Sequence, residues 1–536
     1  MSPNIINLSV AQHASEQQSS KQKMALAIGL SGLFILVLAL VNVQFSNKAL
    51  WLGISLLAMV VGTIIYANDL YLHHPAGIKN NGIWFKSLTS KGTLGWSISI
   101  LLTLFYVVIY WYPQYLGFHA DKENTGLIAL FDPLSALLNG HTATQWFVYG
   151  TLYTVAILAL GYKFILKYRH SKYQIVRTIS VMFFQLAFAF LIPEILAKLN
   201  PEKAYFVKDI KNMWPLNYYM FEDWHLKSML AGGDLGLFML LFGIAMIFVI
   251  SPVLTYFYGK RWYCSWVCGC GGLAETAGDS FRHLSDKSIK AWEFERWSIH
   301  LVLVFVVVST ISVIYSFLSN NPDQSIISRD QFAYGAAALL TAVVGSIFYF
   351  KRASLNKDAQ YTLAALGVIL VCTLLLNYFW GSANLYFIDS YTLRSWYGFA
   401  VGAAFSGVIG VGFYPLMGSR VWCRFGCPMA AILGLQQRLF SKFRITTNGG
   451  QCISCGNCSN ACEMGIDVRA YAQKGENIVR ASCVGCGICS AVCPRGVLKL
   501  ENGALENRIN SNAGLLGNDV SLVAMLENHK KTERKS

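Results

Sequence analysis

Charge is what this chain has least of. Only 13% of its 536 residues are Asp, Glu, Lys or Arg, with 28 acidic side chains against 43 basic ones. At 54% hydrophobic residues and a mean hydropathy of +0.44, the composition excludes a soluble globular protein. Cysteine is missing from everything before Cys264, so thiol chemistry belongs to the rest of the chain. Of ten histidines, only His300 lies clearly inside an apolar run, which leaves no pair to ligate a haem b within a bilayer. No G-x-G-x-x-G fingerprint opens a strand-turn-helix unit and no phosphate loop occurs. The chain by itself should therefore neither oxidise NADH nor hydrolyse ATP.

What is abundant is apolar sequence in runs of roughly 20 residues, enough to cross a ~30 Å hydrocarbon core. Ten such runs are read: Met24 to Val43, Leu50 to Ala67, Leu94 to Tyr112, Trp146 to Ile165, Ile179 to Leu199, Leu235 to Tyr258, Trp297 to Phe317, Ala333 to Phe350, Tyr361 to Trp380 and Tyr397 to Leu416. Residues 1–23 are a polar, Ser- and Gln-rich tail; without a small-residue cleavage site they are not read as a signal peptide. Lys and Arg gather in alternate loops, including Lys163, Lys167, Arg169, Lys172 and Arg177, and then Lys260, Arg261, Arg282, Lys287, Lys290 and Arg296. The positive-inside rule puts those loops in the cytoplasm, and an even number of spans puts both termini there, in a multi-pass protein of the cell inner membrane. The +15 formal charge is then a topology signal. With no nucleic-acid-binding module beside it, nucleic acid is not an expected partner.

Eight of the fourteen cysteines form two runs, Cys452, Cys455, Cys458 and Cys462, and Cys483, Cys486, Cys489 and Cys493, each spaced C-x2-C-x2-C-x3-C. This is the spacing of a bacterial two-cluster ferredoxin, in which the last cysteine of each run serves the other cluster. Cys452, Cys455, Cys458 and Cys493 are therefore expected to hold one 4Fe-4S cluster, and Cys483, Cys486, Cys489 and Cys462 the second. Wrapping three ligands round one cube needs tight turns, which Gly456, Gly485 and Gly487 permit through φ values that other residues resist. Zinc sites space their C-x2-C pairs farther apart, and disulfides are disfavoured on a reducing side. Glu463 stands where the second run has Pro494, and it touches no expected ligand.

Four further cysteines repeat a second pattern. "GKRWYCSWVCG" (259–269) aligns without gaps on "GSRVWCRFGCP" (418–428), so that Cys264 matches Cys423 and Cys268 matches Cys427. Each copy follows an apolar run with a proline in its last part, Pro252 or Pro415. Such a parallel duplication is expected of two halves related by an axis along the membrane normal. Cysteines at i and i+4 share a helix face, so two segments can converge four thiols, a donor set suited to iron-sulfur, Cu(I) or zinc. Arg261 and Arg420 are expected to favour their thiolate forms. Cys270 has no counterpart, its role is open, and lone Cys372 reads as core packing.

With these motifs the chain resembles the membrane polyferredoxin family, which includes the quinol-oxidising ferredoxin-type subunit of periplasmic nitrate reductase systems, the nitrous oxide reductase regulator and the cytochrome oxidase assembly factor with cupric reductase activity. The resemblance covers roughly Leu235 to Leu500. It departs at Gly269, where the family's motif has proline, at the added Cys270, and in lacking the regulator's large flavin-binding domain. It implies electron transfer at a membrane.

The expected architecture is an all-α polytopic membrane protein of about ten transmembrane helices with a parallel internal repeat, joined to a small α+β two-cluster bacterial-type ferredoxin. Its parts are the tail 1–23, helices 24–234, helices with the two cysteine motifs 235–440, the ferredoxin 441–502 and a flexible tail 503–536, with one weakly amphipathic stretch at 520–526. The short linker after Cys427 should keep the ferredoxin against the inner face. Electrons would pass between a cytoplasmic redox partner, the two clusters, a further metal or iron-sulfur centre at Cys264, Cys268, Cys423 and Cys427, and a quinone or membrane partner. The rival reading makes that thiol site a copper reductase or delivery centre for assembling a respiratory enzyme, and a third makes the clusters structural. Glu194 near the end of the fifth run is read either as a proton or quinone contact or as an interfacial carboxylate. The stretch 127–138 is too short to span and reads as a re-entrant or interfacial element. His73, His74, His141 and His225 read as solvated or surface groups.

Overall fold

A computed structural model of the chain describes residues 18–72, 92–120, 122–199, 213–322, 327–351, 357–380, 384, 388–447, 449–502, 515–516 and 520–521. From the N-terminus come α1 (Ser20–Leu40), α2 (Lys48–Tyr71), α3 (Thr93–Trp111), the shorter α4 (Gly126–Leu138), α5 (Gln145–Lys167), α6 (Lys172–Leu199) and α7 (Gly236–Tyr258). Two short helices, α8 (Arg261–Cys264) and α9 (Gly269–Thr276), lead to α10 (Ile289–Asn320), α11 (Arg329–Lys351) and α12 (Lys357–Trp380). A helix over 390–409, α13, is followed by α14 (Val421–Phe425) and α15 (Pro428–Phe440).

Eight of these, α1, α2, α3, α5, α6, α7, α10 and α11, are long and apolar enough to cross a membrane, and they fall on the first eight expected runs. The ninth run lies on α12, apolar over Gln360–Thr373, and the tenth on α13. In α13 the helix opens into a π-helical stretch at Gly398–Ile409, and a shorter one at Met246–Ile250 interrupts α7 at the matching place in the other repeat. Small residues let the first two helices meet closely. Gly32 and Gly62 have no room for a Cβ, which would meet Ser55 O at 2.5 Å and Ala25 O at 2.7 Å.

Helix α4 is a packing element: Ile128 and Phe131 are fully buried, in one core with Leu36, Leu52 and Phe147. Asn139 at its end donates to Glu194 Oε2 at 2.7 Å, which ties that carboxylate to α4. Two readings are corrected. His225 is buried with its Nδ1 2.8 Å from Met220 O, because the short helix Asp223–Ala231 turns it inward. Cys372 is exposed on α12, so it does not pack a core. His141 is exposed, and His73 and His74 lie outside the described residues.

Strands β1 (Arg444–Thr447) and β2 (Leu498–Glu501) pair antiparallel, Arg444 opposite Glu501, and so close the segment that carries both cysteine runs. Ile445, Ile478, Val497 and Leu498 are buried between them and the short helices. Of the C-terminal tail, 515–516 pairs with 520–521 and the rest lies outside the described residues.

Candidate functional site

Each cysteine run bends on glycines: Gly456 and Gly487 cap short helices at φ +75°, and Gly485 lies at φ +64°. The positive φ is what lets the loop double back around its thiols. The fold then interleaves the runs. One cavity is lined by Cys452, Cys455, Cys458 and Cys493, and another by Cys462, Cys483, Cys486 and Cys489. These are the two sets expected from the spacing. Burial pushes the Cys462 thiol up to about 11 and the Cys486 thiol up to about 12, so binding a metal here would release protons.

The two membrane motifs fold alike. Gly259 (φ +67°, ψ 179°) and Gly418 (φ +96°, ψ 171°) end the preceding helices in a backbone shape that glycine allows. A Cβ at Gly259 would lie 2.6 Å from Gln437 Oε1, and one at Gly418 would overlap Ser285. Each motif makes one short helix, α8 or α14, and then places its second cysteine at the extended N-cap of the next, Cys268 on α9 and Cys427 on α15, so the single helix face expected for each i, i+4 pair is corrected. Cys427 Sγ accepts from Ala430 N at 3.4 Å. Cys264, Cys268, Cys423 and Cys427 are all buried in a single core, and Cys270 packs against it. The thiols of Cys264, Cys268 and Cys423 are near enough to one another to interact electrostatically, and Cys270 hydrogen-bonds to Cys268.

The expected effect of cations on these thiols is corrected. Burial dominates and pushes Cys264 up to about 12, with Lys260 and Arg420 opposing it. Arg261 is turned away, its guanidinium over the rings of Phe443 and Tyr173, and Lys260 takes its place beside Cys264. Arg420 does lie where expected, its Nη1 3.6 Å from Cys423 Sγ and 3.2 Å from Cys264 O.

The loop 483–486 sits directly on these segments. Ser265 Oγ donates to Val484 O and Gln437 Nε2 to Cys483 O, both at 2.8 Å, while Gln437 Oε1 accepts from Lys260 N at 2.8 Å. From α6, Gln174 Nε2 reaches Cys486 O at 2.8 Å and Tyr173 Oη reaches Gly485 O at 2.9 Å. Each cysteine repeat thus holds the same ferredoxin loop, and so does α6.

Sequence reasoning missed the ionic network beneath that loop. Glu463, 1% exposed, accepts from Arg282 Nη1 at 2.7 Å and pairs with Arg420 Nε at 3.0 Å. Arg420 and Arg177 both pair with Glu275, and Arg282 also holds Asp279 at 2.7 Å. Glu463 therefore connects the ferredoxin to the guanidinium that touches Cys423. The signal in the sequence was the departure itself, a carboxylate where the second run has proline. Glu275, Glu463 and the Cys486 thiol lie close enough together to resemble a metal site. The arginines already bound to both carboxylates argue against that.

Comparison with known proteins matches residues 451–498 to a family described as a 4Fe-4S dicluster domain. It matches 240–288 and 399–446, separately, to a 4Fe-4S binding domain, so one family description fits both membrane motifs. The chain is 24% identical over 226 residues to YccM of Escherichia coli (strain K12), whose name assigns it to electron transport. That alignment covers 42% of this chain and 47% of YccM, about half the length of the relative. No solved structure matches the chain significantly. By fold and by these matches, the chain is a predominantly helical multi-pass membrane protein that carries 4Fe-4S ferredoxin-type domains.

Proposed function

We propose that this is an electron-transfer protein of the inner membrane, with both termini cytoplasmic, that exchanges electrons between a cytoplasmic partner and a quinone. The observation that carries the reading is the seating of loop 483–486 on both membrane cysteine motifs, through Ser265 and Gln437. A redox centre held by Cys462, Cys483, Cys486 and Cys489 would share one packed core with Cys264 and Cys423. The four-thiol lining of each ferredoxin cavity suits a 4Fe-4S cube, which supplies reversible one-electron chemistry when bound. Cys455 and Ile453 are exposed on the other cavity, which leaves that end open to a soluble partner.

A cavity of about 1110 Å³ between α6, α7 and the ferredoxin supports the quinone end. Trp262, Trp266, Leu254 and Phe184 give it apolar walls, Tyr173, His170 and Arg261 give it polar groups, and Cys493 reaches it. Leu254→Trp should intrude on this space and slow cluster reduction by a soluble quinol at least roughly tenfold, with iron content unchanged. An unaltered rate would remove the cavity from the reading.

For the membrane thiols, the match of both segments to a 4Fe-4S binding domain favours iron. The hydrogen bond of Cys270 to Cys268 is the one feature that favours copper, since it adds a third thiol to the first motif. Metal and acid-labile sulfide analysis of anaerobically purified protein separates the two. Two cubes account for about eight irons. Iron clearly above that, falling back to about eight in Cys423→Ser/Cys427→Ser, is the expected result. Copper present in the intact protein and lost from the variant would replace the relay with metal handling.

A further inference from the structure

A second cavity, of about 340 Å³, lies between α10, α15 and the ferredoxin segment 479–482. Its lining holds five cations, Lys260, Arg296, Arg424, Arg438 and Arg480, and one carboxylate, Glu295, and it reaches Cys423 of the second thiol motif. That carboxylate is already engaged, with Arg424 Nε 2.7 Å from Glu295 Oε2. Lys260 is 1% exposed and has no carboxylate partner among the described residues. Arg296 and Arg480 both stack on one indole, Trp292, at 4.4 and 5.2 Å, which anchors two guanidiniums at the cavity. Partial burial, and next the guanidinium of Arg480, lower the pKa of Arg438. Like charges held together in this way are stabilised by an anion.

We propose that this cavity binds a phosphate ester, the headgroup of an anionic phospholipid. Guanidinium forks match phosphate oxygens in pairs, and basic pockets at the ends of spanning helices are suited to such headgroups. The neighbouring surface fits an acyl chain. Phe294, Trp297 and Leu301 are 61%, 51% and 60% exposed, and their spacing puts them on one face of α10, a helix long and apolar enough to span. A phosphate here would touch the membrane helix and the ferredoxin at once, and so would help to hold the one on the other.

The test uses the full-length, cluster-loaded protein in a neutral detergent, titrated with short-chain phosphatidylglycerol, short-chain phosphatidylcholine and inorganic phosphate. Phosphatidylglycerol should bind at least roughly tenfold more tightly than phosphatidylcholine and should raise the unfolding temperature. Arg438→Gln and Arg296→Gln should each weaken that binding several-fold, with iron content intact as the check on folding. If inorganic phosphate at millimolar concentration protects equally and the two lipids do not differ, the site takes free phosphate by the same chemistry. Equal binding of both lipids with no phosphate effect, or phosphatidylglycerol binding that neither arginine variant alters, overturns the proposal.

Discussion

Cys493→Ala should lose about four irons, and the cluster that disappears should be the one that Cys452→Ala removes. Cys493 lies forty-one positions from Cys452 but shares a cavity with it, whereas its near neighbours Cys486 and Cys489 line the other cavity. Paired variants turn this geometry into numbers. Cys452→Ala/Cys493→Ala should still lose about four irons, because both ligands belong to one cube, but Cys486→Ala/Cys493→Ala should lose about eight. Iron and sulfide analysis with electron paramagnetic resonance of the reduced protein reads the difference. If the Cys486/Cys493 variant keeps a full cube, each run serves its own cluster and the interleaved assignment is wrong.

Glu463→Ala should be the most destabilising substitution outside the cysteines. It leaves Arg282 with Asp279 and Arg420 with Glu275 as their remaining carboxylates, so the cost should fall toward the lower end of the about 3–5 kcal/mol lost when a buried pair is broken outright. The effect should concentrate at the seat of the ferredoxin, since Ser285 Oγ also holds Glu463 O at 2.7 Å. Limited proteolysis near Ser441 should become faster, and the unfolding temperature should fall. Glu463→Gln keeps one acceptor and should lose less. Wild-type protease resistance in Glu463→Ala would show that the loop contacts of Ser265, Gln437, Gln174 and Tyr173 suffice to seat the ferredoxin. Arg420 adds a redox consequence: it joins Glu463 to Cys423, so Glu463→Ala should also alter the spectrum of any centre at the membrane thiols.

Much of this protein was legible because its determinants are local. Apolar length gave the helices, and spacing alone gave the two cysteine sets, because a cube of fixed size demands short, glycine-turned loops. The gapless repeat of 259–269 in 418–428 foretold two segments that fold alike, but not that the backbone would break between the two cysteines of each, one ending a short helix and the other capping the next. The less legible features all depend on distant partners. His225 read as surface until a helix turned it toward Met220 O. Glu463 read as incidental because Arg282 and Arg420, 181 and 43 positions away, are invisible to a local window. Arg261 and Lys260 are adjacent in sequence, yet only the packing of Phe443 and Tyr173 decided which of them faces Cys264.

The sequence by itself determined that this is a membrane protein with two runs of four cysteines at ferredoxin spacing and a duplicated thiol motif, because hydropathy and ligand spacing are short-range properties. Only the tertiary structure decided where the ferredoxin rests, which buried cations face the thiols, and that Glu463 is the bridge between them. Those depend on which charges are desolvated together, and desolvation is a property of the packed whole.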